Sequence, residues 1–287
     1  MKYKLLAVDL DGTLFTSEQE IERETVTTLH EFRKRGGQVA ICSGRSPLST
    51  RWIAETIGLT DPIIAYNGAV TQTVAGEVFE QTAFRKEGLL AFIEACREYG
   101  VYGHLYEGDE LLVPEKNEIN LRWVESNIPT LERSGGTKEG CKLYRGLCDV
   151  RHVEILDEYV TMNEKAILKL AAFPRDGSRY HEFIRHLQSM KGDFEVSSSF
   201  SFANLEISPS GVSKASALMK LARKLGIGMH KVAAIGDNHN DLYMLEAAGF
   251  GIAMGNAPEE VKAAANAVTD TNDNLGVAKA VRRFILE

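Results

Sequence analysis

Three short apolar runs, each breaking off in glycine and polar residues, constrain this chain more than any other feature. Lys4-Leu5-Leu6-Ala7-Val8 runs into Asp9, Gln38-Val39-Ala40-Ile41-Cys42 into Ser43-Gly44-Arg45, and Val232-Ala233-Ala234-Ile235 into Gly236-Asp237. A strand that is apolar on both faces has to be covered on both, which is the situation of a parallel sheet between layers of helices. Helical spacing separates the runs. Val26, Leu29 and Phe32 mark one helix, closed by Gly36-Gly37, and Ala215, Leu218, Met219, Ala222 and Leu225 mark another, closed by Gly226. Strand alternating with helix predicts an α/β, Rossmann-like core with a mostly parallel sheet. In such sheets ligands bind beyond the carboxyl ends of the strands, where these polar residues fall.

The middle of the chain has a different pattern. Leu89 to Tyr99 has helical spacing, and Val101 to Val113 reads as a hairpin turning at Glu107-Gly108-Asp109. Arg179 to Met190 reads as a helix and Phe194 to Ile207 as two further strands. Helices beside paired, antiparallel strands predict an inserted α+β cap at 84–207, with the core formed by 1–83 and 208–287. Asn127 to Asp149, rich in glycine and charge, reads as a loop. Tyr102, His104 and Tyr106 alternate onto one face of a cap strand; packing against the cap helices is the commoner use of such a face, and lining a pocket the other.

Charge and composition remove several classes of function. Lys plus Arg number 33 against 40 for Asp plus Glu, a formal charge of -7, so no general cationic face is available for nucleic acid. Phosphorylated small molecules stay open, because they respond to local charge. No apolar stretch has the length of a membrane span, and the start of the chain reaches Asp9 too soon for a signal peptide. Cys42, Cys96, Cys141 and Cys148 form no CxxC pair and read as free thiols in a reducing, cytoplasmic compartment. The histidines show no HExxH spacing, which argues against zinc. Nothing points to an obligate protein partner.

Asp9-Leu10-Asp11-Gly12-Thr13 carries the most chemistry. Two carboxylates one residue apart at a strand end repel each other unless a cation or a shared proton intervenes. Acids and glycine also end ordinary strands, but four fixed letters in five arise on the order of once in 10⁵ start positions at average usage. Ser43-Gly44-Arg45 fits an ordinary N-cap or an anion cradle, and alone the N-cap is the commoner; Arg45 fits a structural ion pair as well as a substrate contact. Lys214 sits in the first turn of its helix, where a cation opposes the helix dipole unless an anion is near. A solvated lysine is the alternative. Asp237, Asn238, Asn240 and Asp241 exceed what capping one turn requires, and with Asp9 they offer the oxygen donors that suit a hard ion such as Mg²⁺. His239 reads as an incidental surface residue.

Taken in order, these four segments resemble the haloacid dehalogenase-like hydrolase superfamily. Tyr66-Asn67-Gly68-Ala69, Gly211-Val212-Ser213-Lys214, Ala253-Met254-Gly255-Asn256-Ala257 and Thr271-Asn272-Asp273-Asn274-Leu275-Gly276-Val277-Ala278 are similar to its Cof-type subgroup, type IIB, which carries a large inserted cap. The resemblance is weak only across the cap. It implies a Mg²⁺-dependent phosphatase of small phosphate monoesters, such as sugar phosphates, nucleotides or phosphorylated cofactors. Asp9 would be the nucleophile that becomes an aspartyl phosphate, and Asp11 the acid–base. Asp9, the backbone carbonyl of Asp11 and Asp237 would hold the metal, with Asp241 either beside it or a direct ligand. Leu10, Ser43, Gly44, Lys214 and Asn240 would hold the phosphoryl oxygens, and the cap would close over the site. A phosphomutase using the same intermediate is the near alternative. A phospho-metabolite sensor without turnover is the distant one, since it would be expected to lack Asp9 or Asp11.

Overall fold

The computed structural model describes residues 1–120, 150–190, 192–199 and 204–287. The expected loop from Asn127 to Asp149 lies outside the described residues, as do Cys141 and Cys148. The chain divides into two compact units; among the described residues the first holds Met1–Glu80 and Ser213–Glu287, and the second Gln81–Asn120 and Val150–Val212. The sequence placed these crossings at 83/84 and 207/208. The later one moves because the last cap strand runs on to Pro209.

In chain order the first unit begins with β1 (Leu5–Val8), α1 (Arg23–Lys34), β2 (Gln38–Cys42), α2 (Pro47–Thr56), β3 (Ile63–Ala65), β4 (Val70–Gln72) and β5 (Val78–Gln81). The inserted unit contributes α3 (Lys86–Tyr99), β6 (Tyr102–Glu107), β7 (Glu110–Val113), β8 (Val150–His152), α4 (Leu156–Met162), β9 (Ile167–Phe173), α5 (Tyr180–Ser189), β10 (Phe194–Ser199) and β11 (Asn204–Pro209). The chain then returns to the first unit with α6 (Lys214–Lys224), β12 (Val232–Gly236), α7 (Leu242–Ala247), β13 (Phe250–Ala253), α8 (Glu259–Ala264), β14 (Ala267–Val268) and α9 (Gly276–Ala280).

The core sheet has the order β14-β13-β12-β1-β2-β3-β4-β5. Every pairing from β14 to β3 is parallel, and β4 returns antiparallel on β3. All residues of β1 and β12 are buried, as their unbroken apolar runs require. Leu5, Ala7, Ala40 and Ile64 on one face pack against Leu218, Leu221 and Ala222 of α6. Two members of the expected helical stripes fall off the buried faces: α1 buries Thr25, Thr28, Leu29 and Phe32 while Val26 is half-buried, and Met219 is exposed. Strand order advances one way from β1 to β3 and the other way from β12 to β14, so the direction switches between β1 and β12. That is where an open α/β sheet leaves a crevice at its carboxyl edge.

The inserted unit carries a sheet of order β10-β11-β9-β6-β7-β8, antiparallel except for the β7–β8 pair. Among the described residues its helices pack Phe92, Ile93, Phe183 and Leu187 on Leu105, Leu170, Ala172, Leu205 and Ile207, which share one face. Among the described residues, Tyr102, His104 and Tyr106 are not part of that helix-packed cluster. They share the opposite face, where they pair across β9 with Phe173, Ala171 and Lys169. His104 lies 4.6 Å from the Phe173 ring and 5.0 Å from that of Tyr102, and burial alone pushes its pKa down to about 3, so it is neutral. Cys42 and Cys96 are free and buried. Among the described residues no helix is long and apolar enough to cross a membrane.

Candidate active site

Beyond Val8, Asp9 keeps extended backbone and its N–H donates to the Ile235 carbonyl at 3.0 Å, which ties the end of β1 to β12. The next residues close into a tight turn in which Phe15 N–H donates to the carbonyl of buried Leu10. Gly12 makes that turn possible for two reasons. Its φ is +83°, and a Cβ there would lie 2.3 Å from Asp237 Oδ2. Thr13 Oγ1 donates to Asp237 Oδ1 at 2.8 Å. The first and last motifs are thereby joined across 224 residues of chain.

Lys214 is the first residue of α6, whose N-cap Ser213 forms a capping box with Ser216. A solvated lysine is ruled out: the side chain is 1% exposed, and Nζ donates to Asp9 Oδ1 at 2.5 Å and to Asp241 Oδ1 at 2.7 Å. Asp241 is fully buried, and its other oxygen accepts from the N–H groups of Asp237 and Asn238, each at 3.1 Å. One oxygen each from Asp9, Asp237 and Asp241 lies within 4.8 Å of the others.

Three carboxylates around one ammonium leave an excess of negative charge in a desolvated place. Burial, then Asp241, push the Asp9 carboxyl well above the usual range, with Lys214 opposing them. Burial and Asp241 also raise Asp237, to about 7. Burial alone would lower the Lys214 ammonium, but Asp241 and Asp9 outweigh it and hold the proton on. A divalent cation answers that imbalance, and an all-oxygen donor set suits Mg²⁺. The residues present fit such an ion. Asp241 fits less well as a direct ligand than Asp9 and Asp237, since its oxygens are the most heavily engaged, accepting from Lys214 Nζ and from two backbone N–H groups.

Asp11 stands apart. Its side chain is outside the converging group, and Arg45 holds it with Nε to Oδ2 at 2.8 Å and Nη2 to Oδ1 at 2.6 Å. Of the two uses open to Arg45, the ion pair is the one formed. Ser43 is not the cap of α2, because Ser46 fills that role and accepts from Ser49 N–H at 3.2 Å. Ser43 instead sits buried between β2 and the helix, followed by half-buried Gly44. Asn240 donates to Asn67 Oδ1 at 3.3 Å, and His239 is exposed, 3.6 Å from Glu260.

Two asparagines were given no role by sequence reasoning. Asn256 Nδ2 donates to the Gly12 carbonyl at 2.8 Å and lies 3.4 Å from Asp237 Oδ2, while its own Oδ1 accepts from Asn272 N–H at 3.1 Å. Asn67 is the other. Both fall in stretches that the sequence marked only as similar to a subgroup, so the signal was present without a partner.

At the switch point of the α/β sheet the crevice gathers Asp9, Asp237 and Asp241 around buried Lys214, an acidic centre that suits a cation. The chain belongs to the haloacid dehalogenase-like hydrolase family, Cof-type, and the family model matches residues 6–281. It is 31% identical to 5-amino-6-(5-phospho-D-ribitylamino)uracil phosphatase YcsE of Bacillus subtilis (strain 168) over 283 residues, covering 99% of this chain and 96% of that one. Among solved structures, a haloacid dehalogenase-like hydrolase from B. subtilis superposes with a TM-score of 0.82 at 27% identity, covering 98% of this chain and 100% of the other. The subclass IIB sugar phosphatase BT4131 superposes with a TM-score of 0.78 at 25% identity, covering 98% of each chain. The protein is an enzyme of this hydrolase family.

Proposed function

We propose that the protein is a Mg²⁺-dependent phosphatase of small phosphate monoesters. The observation that carries this reading is the convergence of Asp9, Asp237 and Asp241 on buried Lys214 at the switch point. YcsE and BT4131 are phosphatases of a phosphoribityl compound and of sugar phosphates by name, so phosphorylated small molecules are the substrate class to test. Substrate choice is assigned to the inserted unit.

In this reading an Asp9 carboxylate oxygen attacks the substrate phosphorus while the bond from phosphorus to the leaving oxygen breaks. Asp11 supplies the proton that makes the leaving group an alcohol. The product on the enzyme is an aspartyl phosphate. Water then attacks that phosphorus, Asp11 takes its proton, and the bond to the Asp9 oxygen breaks to give phosphate and the free carboxylate. Acid–base help of this kind is worth about 10²–10⁴ in rate. Lys214 fixes the Asp9 carboxylate through Oδ1 and places a positive charge beside the phosphoryl group. Once its proton has gone to the leaving group, the Asp11 carboxylate has Arg45 as its partner, and this is the form that accepts the proton of water in the second step. Asp9, the Asp11 carbonyl and Asp237 would hold Mg²⁺, which supplies charge neutralisation for the phosphoryl oxygens. Asp241 positions Lys214, and Leu10 N–H, Ser43, Gly44 and Asn240 complete the phosphate contacts.

The test is a phosphate-release screen over phosphorylated metabolites, with Mg²⁺ and with chelator. Wild type is expected to release phosphate only with Mg²⁺, without isomerised product, and Asp9→Asn to release none while keeping its fold. Mg²⁺-dependent release by Asp9→Asn would overturn the nucleophile assignment, and isomerised product would make the enzyme a phosphomutase.

A further inference from the structure

Two consecutive residues with side chains, Tyr66 and Asn67, adopt left-handed backbone at φ of 49° and 53°, and Gly68 follows at 110°. Left-handed geometry is unfavourable for residues with a Cβ, and both residues are buried; Tyr66 is 1% and Asn67 4% exposed. Surroundings that force such a turn have to gain elsewhere. Here the turn touches three of the four segments of the site. Tyr66 N–H donates to the Arg45 carbonyl and Asn67 N–H to the Ser43 carbonyl, each at 2.9 Å. Gly68 packs where a Cβ would lie 2.4 Å from the carbonyl oxygen of Ser213, the cap of the Lys214 helix. Asn67 Oδ1 accepts from Asn240 Nδ2 at 3.3 Å.

That last bond decides which end of Asn240 is presented. A side-chain amide has two N–H donors and one carbonyl on nearly equal shapes. With Asn67 Oδ1 as its acceptor, Asn240 turns its NH₂ group inward, and flipping the Asn240 amide alone would set carbonyl against carbonyl. One N–H is then spent on Asn67 and the other remains for an anion. We propose that Asn67 is a positioning residue for phosphate, acting through Asn240. The strained turn holds its acceptor in place and keeps a donor, not an acceptor, facing the phosphoryl oxygens. This rests on the reading of Asn240 as a phosphate contact.

A double-mutant cycle on the full chain tests it, with inorganic phosphate as the probe, saturating Mg²⁺ and titration calorimetry as the readout. Asn67→Gly removes the acceptor and accepts left-handed backbone freely, so the fold is retained. The expected result is a Kd raised about 3- to 10-fold in Asn67→Gly, a larger rise in Asn240→Ala, and a double variant within about twofold of Asn240→Ala alone. A purely structural role would lower the binding stoichiometry and leave Kd unchanged. An unchanged Kd in Asn67→Gly, or penalties that multiply in the double variant, would overturn the proposal. Wild-type Kd in Asn240→Ala would remove the phosphate role of Asn240 and this proposal with it, a failure visible in that arm alone.

Discussion

Replacing Lys214 with methionine keeps the length and apolar stem of the side chain and removes only the charge. In the folded core this strips Asp9 and Asp241 of the ammonium that lies 2.5 and 2.7 Å from them, at a site 1% exposed. Removing one member of a buried ion pair costs about 3–5 kcal/mol, because the remaining charge stays desolvated and uncompensated. Two carboxylates lose their partner here, so the upper part of that range applies without metal. At about 2–4 °C per kcal/mol for a chain of this size, the melting temperature in chelator should fall by about 8–20 °C. The loss should be largest near pH 8 and smaller near pH 5, where protons neutralise the orphaned acids. Saturating Mg²⁺ should restore part of it, since a bound cation replaces some of the missing charge and stabilises by mass action. Thermal unfolding at the two pH values, with chelator and with Mg²⁺, measures all three effects. A variant that melts within 2 °C of wild type in chelator at pH 8 would refute the charge balance argued for the site.

Asp237 is raised to about 7 chiefly by burial, so between about pH 4 and 7 the folded state keeps a proton that the unfolded chain has lost. Stability of the metal-free protein should therefore fall as pH rises through that window, and Asp237→Asn should flatten the slope; a slope of the opposite sign in wild type that Asp237→Asn leaves unchanged would exclude this. Gly12→Ala meets both a left-handed φ and a carboxylate oxygen 2.3 Å away, whereas Gly226→Ala meets only the φ of +69° with nothing within 4 Å. Gly226→Ala should cost about 1–2 kcal/mol and leave phosphate release intact, while Gly12→Ala should lose activity and more stability; equal effects in denaturant unfolding would show that the approach to Asp237 is unimportant.

How far the sequence reached depended on the range of the interaction involved. The β1, β2 and β12 strands were legible because an apolar run with no polar face leaves one kind of sheet open to it, and the residues at their carboxyl ends followed from the sheet's direction. Period-two spacing showed that Tyr102, His104 and Tyr106 share a face. It could not show which face the helices cover, because that depends on Leu170, Ala172, Leu205 and Ile207 presenting the alternative apolar surface. The same limit applied to Ser43. A serine before a helix reads as a cap until Ser46, three residues on, takes the N–H of Ser49. Lys214 was flagged by its conflict with the helix dipole, a local signal, but its partners lie 205 and 27 residues away. The Asn67–Asn240 bond spans 173 residues, so neither segment names the other as its partner.

Those long-range contacts explain why the site tolerates so much buried charge. Each loop at the carboxyl edge is held by another segment or by its own turn: Thr13 by Asp237, Asp237 and Asn238 by Asp241 of the same turn, Asp9 by Lys214, Gly12 by Asn256, and Ser43 by the turn at Asn67. Carboxylates so fixed cannot move apart to relieve their repulsion, and the relief has to come from a cation or a proton. A preorganised site of this kind has met its reorganisation cost during folding, so under the proposed function a phosphoryl group arriving with its metal would meet donors already in place. The formal charge of -7 is therefore a poor guide to what the crevice attracts, because the acids inside it are held in the arrangement that recruits the opposite sign.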